Sequence, residues 1–139
     1  MEDVYRWRVG TTDVSGPVIG LRPIRKTLKA MGITHFAFLL NRDLFEYGPK
    51  GWERHVDVGR DSKYDWDALG TALNGTTYVS PDRLETAINN SGEWVGNKYN
   101  VIEHNCQNFV QFCMRALGCP ESMIMKKGPV YRDQRRKLK

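Results

Sequence analysis

The segment EHNCQNFVQFC, residues 103–113, places Cys106 directly after a His-Asn pair. It also heads an apolar run, Phe109, Val110 and Cys113, that recurs at helical spacing. If Asn105 caps that helix, Cys106 is its first residue. Its sulfur then lies where the first-turn N–H groups and the positive end of the helix dipole favour an anion. Cysteines in such a setting, above all with a histidine partner, ionise at neutral pH and act as nucleophiles. Cys113 falls in the third turn on the apolar stripe and Cys119 lies past the helix end, so neither has that setting. The same spacing also suits an inert core cysteine, because residues 106, 109, 110 and 113 share one helical face.

A nucleophile needs a base, and the chain offers three histidines, His35, His55 and His104. Only His35 opens a strongly apolar strand, THFAFLLN, where a ring at the strand's mouth can face a cleft. His104 stands two residues before Cys106 outside the helix, and His55 lies in a charged stretch; both read as surface residues. Residues 104, 106, 113 and 119 contain no C-x-x-C pair and match no zinc-ligand spacing, so neither a metal nor another cofactor is expected.

The elements that must position these residues can be read along the chain. VYRWRVG alternates apolar and polar residues as a short strand does. GPVIGLRPIRKTLKAMGI predicts a Gly/Pro-rich loop and a helix over 23–31, closed by Gly32. A hairpin follows: a strand over 34–41, a tight connection at Arg42-Asp43, and a second strand over 44–48. A third strand is predicted at His55 to Val58, while SKYDWDALGTALNG carries little pattern. SPDRLETAINNSG predicts a helix with Ser80 as N-cap, Pro81 at N1, an apolar face of Leu84, Ala87 and Ile88, and Gly92 at its end. The last helix runs from Cys106 along Phe109, Val110, Cys113, Ala116 and Leu117, and Gly118 with Pro120 stops it.

Composition bounds the rest. At 139 residues, with 40% hydrophobic and 11% aromatic residues, the chain suits one folded domain. The net charge is +5, yet residues 126–139 hold seven Lys or Arg against one Asp, a net of +6, which leaves residues 1–125 at −1. The expected organisation is therefore a folded domain over 1–125 and a basic tail over 126–139. Such a tail suits a solvated end or contact with an anionic partner. Three cysteines leave one over from any pairing, and MEDVYRWRVG has no basic stretch followed by an apolar one. With no run near the roughly 18 apolar residues that span a bilayer, the expected location is a reducing compartment, cytoplasmic and/or nuclear.

In KYNVIEHNCQNFVQFCMRALG the pattern YNxxEHNCxxF is held by Tyr99, Asn100, Glu103, His104, Asn105, Cys106 and Phe109. It resembles the cysteine segment of the PPPDE family, permuted papain-fold peptidases that include the DeSI-type desumoylating isopeptidases. GLRPIRKTLKAMGITHFAFLLNRDLFEYG is similar to that family's helix, histidine strand and FxxG turn, and the His-then-Cys order reverses that of papain. The likeness does not extend to residues 49–92.

The resemblance implies an α+β fold of the permuted papain-like (NlpC/PPPDE) type, a small antiparallel sheet packed against helices. It implies a dyad of Cys106 as nucleophile and His35 as base, with the N–H of Cys106 as oxyanion donor and Asn105 and Gln107 in support. At position 46 the DeSI-type strand usually has an aromatic residue, whereas this chain has Glu46. On adjacent strands of a two-residue hairpin Glu46 would approach His35 and could orient it as a third catalytic residue. An ordinary solvent-facing strand glutamate is the plainer alternative. The implied substrate is a ubiquitin-like modifier conjugate or an acylated protein, cleaved at an isopeptide, peptide or thioester bond, and a homodimer is plausible by the same likeness. The lecithin retinol acyltransferase-like lipid enzymes would use the same dyad, although the basic, polar end of this chain is unlike their hydrophobic anchor. A non-catalytic binding module is the third alternative.

Overall fold

The computed structural model describes residues 3–12, 35–60, 66, 73–100 and 103–124, and in it the apolar run His35–Leu40 is buried along its whole length. This is β2, the middle strand of a five-stranded antiparallel sheet. Its neighbours are β1 (Tyr5–Thr12), β3 (Asp43–Gly48), β4 (Gly51–His55) and β5 (Asn74–Thr77), in the order β4-β3-β2-β1-β5. Among the described residues, helices α1 (Pro81–Ser91) and α2 (Cys106–Ala116) join the sheet in an α+β fold. Alternation along β2 sends Phe36, Phe38 and Leu40 into the main core with Phe109, Val110, Cys113 and Met114 of α2. Ala37 joins Leu44 and Trp66 in a second cluster. Both faces of β2 are thus covered, which is why a polar residue at its start is buried too.

The hairpin between β2 and β3 forms as predicted, with its turn one residue earlier. Leu40 pairs with Asp43, so Asn41 and Arg42 make the connection. Asn41 takes a φ of 54°, a left-handed conformation that asparagine tolerates better than most residues. Asp43 is in turn held in the strand by two bonds from Arg54, at 2.9 and 2.6 Å, and Arg54 reaches on to Asp82 of α1 at 2.8 Å.

The third predicted strand, His55 to Val58, is corrected. β4 begins at Gly51, paired with Gly48 across a Pro49-Lys50 turn, and ends at His55. Asp57, at φ 59°, breaks the extended path that the Val56 and Val58 alternation suggested. β5 had no sequence signal, because its NGTT carries no apolar alternation; backbone pairing to β1 makes it a strand. The predicted helix over 23–31 and the tail 126–139 lie outside the described residues.

Local signals fix both helices. Ser80 Oγ accepts from the Arg83 N–H at 3.2 Å, Pro81 stands at N1 and Gly92 closes α1 at φ 67°, while Leu84 and Ile88 are its buried face. The 3-10 turn Gly96–Lys98 then seats against the β3–β4 turn. A Cβ on Gly96 would stand 2.5 Å from the Pro49 carbonyl oxygen and 3.0 Å from the Lys50 carbonyl carbon. Those are backbone atoms and cannot swing aside. Gly96→Ala is therefore expected to destabilise the fold by about 1–3 kcal/mol, measured as a lower urea midpoint at unchanged m.

Candidate functional site

Asn105 fixes where α2 starts. Its side-chain oxygen accepts from the N–H of Gln107 at 3.0 Å and of Asn108 at 3.4 Å, and the Asn108 side chain returns a bond to the Asn105 N–H at 2.9 Å. This capping box makes Cys106 the first helical residue, as the spacing predicts. Asn105 thus supports the site by holding the helix start, and the Gln107 N–H serves the same cap. Gln107 is itself buried.

The start of β2 faces that helix end across the core. The Phe36 N–H donates to the Cys106 sulfur at 3.3 Å, and the His35 ring is hydrogen-bonded to the Cys106 side chain. On its other side His35 Nε2 lies 3.5 Å from Glu46 Oε2. Cys106 and His35 are each 3% exposed and Glu46 8%, so the three residues meet in a buried site. Glu46 is therefore no solvent-facing strand residue. The sheet register explains the meeting: one step beyond the Phe38–Phe45 pair, Ala37 stands opposite Glu46, which puts His35 on the diagonal of the same face.

Burial acting alone would lower the pKa of His35, because it disfavours the cation. The negative charge and hydrogen bond of Cys106, followed by those of Glu46, outweigh burial and raise the pKa to about 9. Both partners therefore favour the protonated ring, whose N–H groups can be given to each. In contrast, burial pushes the thiols of Cys113 and Cys119 upward, so both keep their protons. All three cysteines are free of disulfides. Burial, and then the charge of Cys106, also raises the Tyr99 phenol, which stays neutral near the sulfur.

These directions give a direct check. The His35 ring, followed by NMR in isotopically labelled protein, should titrate with a midpoint near pH 9, and Cys106→Ala should bring that midpoint down. A midpoint unmoved by the loss of sulfur would remove Cys106 from the list of its partners.

Two participants escaped sequence reasoning. The Phe36 N–H is backbone, and no side-chain pattern announces it. His55, read as a surface residue, instead places Nε2 2.8 Å from Glu46 Oε1 with its side chain 37% exposed. The signal for it was available in the Pro49-Lys50 turn, which sets the alternation so that residues 46, 53 and 55 share a face. His104 is also no plain surface residue: its ring stacks on Trp94 at 4.4 Å and its Nε2 lies 2.8 Å from the Glu93 carbonyl oxygen.

Among the described residues, Glu46, Glu53 and His55 place one potential metal ligand each within 4.8 Å of one another. An ion there would have to replace the 2.8 Å contact between Glu46 and His55. No helix among the described residues is long and apolar enough to cross a membrane. Neither a protein-family model nor a curated protein matches the chain.

Proposed function

We propose that the chain is a thiol hydrolase of the permuted papain-like, PPPDE type, acting on an isopeptide, peptide or thioester bond of a protein substrate. One observation carries the reading: a cysteine at a capped helix start, bonded to a histidine whose Nε2 faces a buried carboxylate. Nucleophile, base and orienting group in that order are the constellation of acyl transfer.

The Cys106 thiolate attacks the substrate carbonyl carbon, and the new oxyanion lies at the N-terminal end of α2, where the Cys106 N–H is its donor. His35 hands its proton to the leaving nitrogen or sulfur as that bond breaks, which leaves an acyl-thioester on Cys106. Water then attacks, His35 takes its proton, the C–S bond breaks, and the thiolate returns beside an imidazolium. The Phe36 N–H steadies the sulfur whenever it is anionic. A ubiquitin-like modifier conjugate and an S-acylated protein are the substrates this chemistry suits.

Purified full-length protein is to be offered three probes: a fluorogenic amide on the C-terminus of a ubiquitin-like modifier, an S-acyl peptide, and a short-chain ester in lipid micelles. Release from either of the first two that disappears on iodoacetamide treatment supports the proposal. Turnover of the lipid ester alone moves the chain to the lipid acyltransferase class. If none is cleaved and Cys106 alkylates no faster than Cys113 and Cys119, the binding-module reading replaces it.

A further inference from the structure

The β3–β4 register pairs Leu44 with His55 and Glu46 with Glu53, and the β2–β3 register pairs Leu39 with Leu44. Paired residues share a face, so His35, Glu46 and His55 form a row across three adjacent strands with the carboxylate in the middle. Two contacts of that carboxylate, one to each histidine, differ. Oε2 addresses His35 at 3.5 Å, whereas Oε1 meets His55 at 2.8 Å. An ionised carboxylate only accepts, so His55 Nε2 is the donor of the shorter bond. A carboxylate can rotate about its last torsion with little restraint, and a bond as short as that to His55 restrains its plane more than the longer one to His35.

We propose that His55 is a positioning residue that holds Oε1 of Glu46 and thereby fixes the direction from which Oε2 reaches His35. The site then extends over four side chains, Cys106, His35, Glu46 and His55, the last of them open to solvent. The kinetic consequence rests on the thiol-hydrolase reading, while the positioning itself does not. Glu53, whose Oε2 lies 3.5 Å from His55, is the other carboxylate facing this histidine. It is exposed and has no contact with His35 among those described.

The test compares wild type, His55→Ala and His55→Gln as full-length proteins. Alanine removes the donor, and glutamine can restore an N–H near the same place. His55→Ala is expected to lower kcat about 10-fold with KM within about 2-fold, and His55→Gln to recover most of the loss. The 15N signal of His35 Nε2 should shift in His55→Ala and return toward wild type in His55→Gln. That spectrum needs no substrate, so it reads the positioning even if the wild type cleaves nothing. A wild-type kcat and an unmoved His35 signal in His55→Ala would overturn the proposal. Equal impairment in both variants, with a lowered unfolding midpoint, would also overturn it, because His55 would then only hold β4 in place.

Discussion

Cys106→Ser is expected to lower turnover by about four orders of magnitude or more while leaving the fold intact. A serine hydroxyl at the first position of α2 can be accommodated, since Asn105 and Asn108 make the capping box without the sulfur. The loss is electronic. An alcohol is a far weaker nucleophile than a thiol, and His35 loses a partner that raises its pKa. The measurement is kcat/KM on the modifier amide beside a urea unfolding curve. A retained midpoint with no turnover identifies the nucleophile, whereas retained turnover would take Cys106 out of the mechanism.

Glu46→Gln is expected to lower kcat/KM by about 100-fold. Glutamine is the same size, yet it is neutral, and only one end of its amide accepts. It cannot accept from both His35 and His55, which the carboxylate does at 3.5 and 2.8 Å. The change has a pH signature as well. His35 is raised from an ordinary 6.5 to about 9, so its charged form adds stability that is fully present below about pH 6.5 and is lost as pH rises through about 9. In the proposed mechanism the protonated ring gives its proton to the leaving group, so the wild-type rate should fall on the alkaline side near pH 9. In Glu46→Gln both the alkaline limb of the rate and the pH-dependent part of the urea midpoint should move to lower pH. A variant with the wild-type rate and limb would demote Glu46 to a packing residue.

What the sequence determined by itself is local. The Asn105 cap, the start of α2 at Cys106, the Ser80-Pro81 entry to α1 and the two-residue hairpin that brings Glu46 toward His35 are each decided by residues close together in the chain. Capping, left-handed turn residues and side-chain alternation act over that range. The exact turn residue and the ends of β4 were less legible, because Asp57 interrupts an alternation that otherwise continues to Val58.

Only the tertiary structure decided the rest. The Phe36 N–H meets the Cys106 sulfur from 70 residues away, β5 is a strand only because β1 pairs with it, and His55 joins the site only once β3 and β4 are in register. Periodicity says which face of an element is apolar, not which other element covers it. The electrostatics of the site follow the same rule: packing removes water from His35, which works against its proton, and sets Cys106 and Glu46 beside it, whose pull outweighs that loss. Neither effect exists until distant segments close on one another.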